Sequence, residues 1–247
     1  MNRKAPSAAA ENRELGDPDG PGCELAPPHG AWASRVIAEE EIHRGAQRIK
    51  GRSAQPWHDL GLYYLLFATG ARPLEIARLE VRDYLDAEGR VRRVSELRPE
   101  VAITGRARPL YFASSRLDEA LEHYLKERVE QQQGLGETAA YRGLDPTSRL
   151  FLSNTGRGFE IVPYGEGGQR RYRCRGIQET YGKLLRYAEL EGVSSMGVRH
   201  TVAQRLYARG ADEGQVGQLL GIRDRSAVRE LFPRARPALE ELVRELV

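Results

Sequence analysis

The chain has 247 residues, 40% of them hydrophobic and 30% charged, a balance that fits a soluble globular protein with one large domain or two small ones. The longest apolar run, residues 60–68, is too short to span a bilayer, and no apolar stretch follows the N-terminus as a secretion signal requires. Cys23 and Cys174 are the two cysteines, so a disulfide framework is not expected and a cytoplasmic setting is; no metal-ligand cluster or cofactor motif is apparent.

The net charge of +3 is unevenly spread. Residues 1–31 carry Arg3, Lys4 and Arg13 against Glu11, Glu14, Asp17, Asp19 and Glu24, a net of −2, which leaves +5 on the remainder. Only four of the 38 basic residues are lysine. The planar guanidinium of arginine binds two phosphate oxygens at once, so the bias suits a phosphate ligand; a GC-rich coding bias would produce it equally well.

In chain order, residues 1–31 lack apolar periodicity and are rich in Ala, Gly, Pro and acids, the composition of a disordered tail. A single domain is expected over 32–247. A helix is predicted over 34–50 with Ile37 and Ile42 inward. A strongly apolar helix opens at Pro56-Trp57 and ends at Gly70. Arg72 begins the next helix, with Pro73 in its first turn, where a missing N–H costs nothing. Residues 101–104 and 108–112 read as strands around a tight Gly105-Arg106-Ala107 turn. Residues 117–132 form a helix with Leu117, Leu121, Tyr124, Leu125 and Val129 on its apolar face. Residues 134–149 are a loop, 150–153 a short strand, and 154–176 irregular. Helices follow over 177–190, 198–209 and 213–220, the last two closed by Gly210 and Gly221. An amphipathic helix over 237–247 turns Leu239, Leu242, Val243 and Leu246 to one side. The fold class is therefore mainly α with a small antiparallel β-sheet.

Two segments carry the functional reading: ATGARPLEIARL, with Arg72, and GVRHTVAQRLYARGADEGQVGQLLGI, with Arg199 and His200. In this order and at this distance they resemble the catalytic domain of the tyrosine recombinase (phage integrase) family, across residues 34–247. The resemblance implies that Arg72 and Arg199 bind the phosphate of duplex DNA near helix N-termini, where free N–H groups also favour an anion. His200 matches a family histidine; a buried histidine bonded to backbone is the alternative.

Other positions depart from the family pattern. Met196 stands where a histidine or other polar residue is usual, and Ile222 replaces a histidine or tryptophan that contacts the phosphate. The nucleophilic tyrosine falls near Leu231, where Phe232 is the only aromatic neighbour. The last tyrosine of the chain is Tyr207. The hairpin turn has Arg106, a candidate DNA contact, in place of a lysine general acid, and arginine barely titrates. The family's preceding helical clamp domain has no counterpart in the short, polar segment before residue 32.

The densest basic run, 169–175, holds Arg170, Arg171, Arg173 and Arg175 around Tyr172 and suits a DNA-backbone contact with a stacking option; a solvated charged loop is the alternative. Three functions are consistent with these residues. The first is a catalytically inactive DNA-binding protein, accessory or regulatory in integration or recombination of a mobile element. The second is an active strand transferase whose tyrosine is displaced (Tyr207, Tyr172 or Tyr181) or supplied in trans. The third is a protein-interaction module that kept only the fold. Another recombinase, or a second copy docked through the C-terminal helix, is the expected protein partner, and packing of that helix on its own chain is the alternative.

Overall fold

A computed structural model describes residues 35–165 and 171–234. The tail 1–31, Arg170 and the predicted terminal helix over 237–247 lie outside the described residues. The elements run α1 (Glu39–Arg52), α2 (Pro56–Thr69), α3 (Pro73–Arg78), α4 (Val81–Tyr84), β1 (Val94–Leu97), β2 (Arg108–Tyr111), α5 (Ser115–Glu130), β3 (Val162–Tyr164), β4 (Arg171–Arg173), α6 (Arg175–Tyr187), α7 (Ser195–Ala208), α8 (Glu213–Leu220) and α9 (Arg225–Leu231). The fold is mainly helical, as expected, but with two two-stranded antiparallel sheets in place of one. No helix among the described residues is long and apolar enough to cross a membrane.

Helix α2 is the hub. It is apolar on most sides, and Leu60, Leu62, Tyr63, Leu65 and Leu66 are all buried. It packs against α1, α5, α6 and α7. Its stop is Gly70, in the left-handed region at φ 60°, whose N–H bonds the Leu66 carbonyl. A Cβ at Gly70 would come within 2.5 Å of Leu220 Cδ2, so the turn that delivers Arg72 also lets α8 approach closely. A second, smaller cluster joins α7, α8 and α9 through Val202, Ala203, Tyr207, Val216, Leu220, Val228 and Phe232.

Several expected elements differ. The first helix starts at Glu39, because Ile37 is buried in extended chain and its N–H donates to Thr201 Oγ1 of α7 at 3.1 Å. Residues 101–104 are not a strand: Val101 and Ala102 are both buried, which an alternating strand cannot do on one face, and their N–H groups bond back to Arg98. The partner of β2 is instead β1, with Val94 opposite Tyr111 and Leu97 opposite Arg108. Arg98 bonds Asp83 and Glu80 of the α4 region and turns the chain away after β1. Residues 150–153 form no ladder, since Leu150 donates to the Leu79 carbonyl and Leu152 to the Tyr124 hydroxyl. Within the segment read as irregular, β3 and β4 pair. Val129 is exposed. Helix α7 begins three residues early because the Ser194 hydroxyl caps it, accepting from the Gly197 N–H. Helix α9 was not predicted; Asp224 caps it through the Ser226 N–H.

Candidate nucleic-acid interface

Arg72 is the residue before α3, and Glu75 three positions on returns to cap it, its Oε2 accepting the Arg72 N–H at 2.9 Å. Glu75 is fully buried. The same carboxylate takes a two-pronged bond from Arg108 of β2, Nη1 to Oε1 at 2.8 Å and Nη2 to Oε2 at 2.7 Å. It also accepts the Ile103 N–H at 3.2 Å. Burial alone would raise the Glu75 pKa, but the hydrogen bonds and charge of Arg108 outweigh it and hold the carboxyl below its ordinary range.

Arg108 reaches further and donates Nε to the Leu219 carbonyl at 3.0 Å. Arg199 bonds the next carbonyl: its Nη2 donates to Leu220 at 2.9 Å and its Nη1 to Gly70. Two guanidinium groups thus cap the C-terminus of α8, where the helix dipole favours cations. Arg199 is 2% exposed. Burial, with the repulsion of Arg72 next, pushes its pKa down to about 9, so it stays a cation at neutral pH. Its Nε has no partner among the described residues. Arg199 lies in the second turn of α7 rather than at its N-terminus.

Arg72 is half-buried, and its guanidinium has no hydrogen-bond or ion-pair partner among the described residues. Of the three arginines Arg108 alone bonds the Glu75 carboxylate through its guanidinium among the described residues, the charges of Arg72 and Arg199 act through space, and Arg72 is the least buried of the three. Sequence reasoning named Arg72 and Arg199 but missed Glu75 and Arg108. The Glu75 signal was present as a glutamate at capping-box distance from Arg72. Arg108, a charge on the buried face of a strand, signals only through its pairing.

The remaining predicted residues separate into groups. His200 is buried beside Phe232, with ring centroids 6.4 Å apart; its Nε2 lies 3.4 Å from Gln204 Nε2 and its Nδ1 has no partner among the described residues. Met196, Ile222 and Leu231 are half-buried and pack on the α7–α9 cluster. Phe232 is 1% exposed within it. The Tyr207 side chain is buried in the same cluster, its hydroxyl unpartnered among the described residues and its pKa raised by burial. Tyr181 is buried and donates its hydroxyl to the Leu62 carbonyl at 3.1 Å. Arg106 is exposed on the β1–β2 loop. Arg171 and Arg173 lie on β4, and Arg175, at the start of α6, is paired with Glu179 at 2.6 Å.

Burial lowers the His200 pKa. The folded state therefore resists a proton that the unfolded chain accepts near its ordinary value of 6.5, and stability falls as pH drops below about 6.5. In thermal melts across that range, His200→Gln should show a shallower loss than the wild type; parallel curves would refute a buried neutral imidazole.

The XerA recombinase superposes with a TM-score of 0.58 at 20% identity, over 84% of this chain and 63% of that one. The XerH site-specific recombinase bound to palindromic difH substrate gives 0.53 at 17%, over 80% and 49%. The Tn1549 transposon integrase in complex with a circular intermediate DNA gives 0.55 at 16%, over 85% and 64%. The chain thus spans less than two thirds of each of these. No curated protein matches it by sequence. The sequence pattern of the phage integrase family matches residues 35–232, from the extended segment before α1 to Phe232. With that match over most of its length, and with the helical fold that XerA shares, the chain belongs to the phage integrase family.

Proposed function

We propose that this protein binds duplex DNA through its phosphate backbone and has lost strand cleavage, acting as an accessory or regulatory partner in DNA integration or recombination of a mobile element. The observation that carries the reading is the excess of cations among the described residues: Arg72, Arg108 and Arg199 lie near the Glu75 carboxylate, and the Arg72 guanidinium is unpartnered. A phosphodiester supplies the missing negative charge and the acceptors for a planar fork. That XerH and the Tn1549 integrase are described with DNA supports the same partner.

The loss of cleavage rests on chemistry. Phe232 has no hydroxyl to attack phosphorus, and without a nucleophile the covalent route is closed. Met196 and Ile222 carry no proton, and an absent general acid or base removes about 10²–10⁴-fold by itself. Phosphate binding needs none of these groups. Tyr207 is a poor substitute nucleophile, since burial raises its pKa and no base touches its hydroxyl among the described residues. An interaction module without DNA affinity would gain nothing from an unpaired Arg72 beside Arg199.

A nicked duplex that traps covalent intermediates tests both halves. The expected result is a salt-sensitive mobility shift with no protein–DNA adduct, and weakening by tenfold or more for Arg72→Ala, the loss of a charged hydrogen bond of about 1.5–3 kcal/mol. A covalent adduct would overturn the loss of cleavage. Absent or salt-insensitive binding would overturn the DNA-binding reading and favour the interaction module.

A further inference from the structure

The β3–β4 hairpin has two unlike faces. Val162 lies opposite Arg173, Pro163 opposite Tyr172 and Tyr164 opposite Arg171. Side chains directly opposite share a face and neighbours along a strand alternate. Pro163 and Tyr172 therefore lie on one face, and Val162, Tyr164, Arg171 and Arg173 on the other. The Tyr172 ring sits 4.9 Å from the guanidinium carbon of Arg78. Arg78 is the last residue of α3, the helix that Arg72 begins. The two are six positions apart, about 9 Å along a helix axis. The Tyr172 ring, itself exposed, thus ties the hairpin to the element that follows Arg72.

On that opposite face the Arg173 guanidinium carbon is 5.9 Å from the Tyr164 ring centroid, and Tyr164 is 43% exposed. Neither Arg171 nor Arg173 has a carboxylate partner among the described residues. Their neighbour Arg175, by contrast, is neutralised by Glu179. Two unpaired guanidinium groups flanking an exposed phenol match a polyanion that also offers flat or apolar surface: the phosphates and sugars of nucleic acid.

We propose that Tyr164, Arg171 and Arg173 form a second contact to the DNA backbone, held beside α3 by the Tyr172–Arg78 stack. The inference rests on the duplex-binding reading above. Each phosphate contact contributes about 0.9 to the slope of log affinity against log salt. Anisotropy titrations of the full chain on a mixed-sequence duplex, between about 50 and about 200 mM salt, read that slope. Arg171→Ala with Arg173→Ala should reduce it by about 1.8, while Arg72→Ala reduces it by about 0.9. Tyr164→Ala should weaken binding at every salt concentration and leave the slope unchanged. All three hairpin positions lie on a two-stranded surface element, so the far-ultraviolet circular dichroism of these variants should match the wild type. Wild-type binding with an unaltered slope and affinity in the double variant would overturn the hairpin contact alone. No binding by the wild type would overturn both readings.

Discussion

Replacing Glu75 with Gln should cost about 3–5 kcal/mol of stability, the usual consequence of removing one member of a buried ion pair. The magnitude follows from what is stranded. Glu75 is fully buried and Arg108 nearly so, and the carboxylate accepts both Arg108 prongs and two backbone N–H groups. A glutamine retains one carbonyl oxygen and turns an amide donor toward a guanidinium that is itself a donor. Arg108 is then left as a buried cation close to Arg72 and Arg199. Urea denaturation would measure the loss, and the paired change Glu75→Leu with Arg108→Met should recover much of it, because no charge is left unpaired. A single-variant loss below about 1 kcal/mol, typical of exposed pairs, would mean that the pair does not brace the fold. The wild type should also show an acid limb. Since the Glu75 pKa is lowered, the stability it contributes is complete above its ordinary value of 4.5 and is lost as pH falls through the folded value.

Phe232→Ala should cost about 3–5 kcal/mol, as for other large-to-small changes in a packed core. Phe232 is the C-terminal member of the α7–α9 cluster and is almost inaccessible to solvent. Removing its ring leaves Val202, Tyr207, Val216 and Val228 facing a void and opens the packing beside His200. Phe232→Tyr separates the structural from the chemical consequence. It keeps the ring volume and adds only a hydroxyl, so its stability should lie far closer to the wild type than that of the alanine variant. On the nicked duplex it should still form no adduct, since Met196 and Ile222 remain unable to move protons or bind phosphate. An adduct with Phe232→Tyr but none with the wild type would place the proposed loss of cleavage in the missing hydroxyl alone.

Much of the fold was legible in the sequence because its signals are local. Gly70 and Gly221 stop helices in the left-handed region, Pro73 opens α3, and the apolar run of α2 is the buried hub. The strands were harder to read. Each is three or four residues long, too short for alternation to show, and β3 contains Pro163 and exposed side chains. Residues 101–104 mimic a strand in composition, yet Arg98 binds the α4 region and folds them into turns.

The same division holds for the site. By itself the sequence pointed to the family and to the order of Arg72 and Arg199, because each is a matter of residue type at a fixed spacing. Only the tertiary structure decided that Arg199 is a buried brace between Gly70 and Leu220 while Arg72 is the least buried of the three arginines, and that Glu75 and Arg108 hold the two together. Which of several arginines is free depends on which acids and carbonyls lie within about 3 Å of each. Those partners are 129 residues away for the Arg199–Gly70 bond and 33 for the Arg108–Glu75 pair, distances along the chain over which local pattern carries no information.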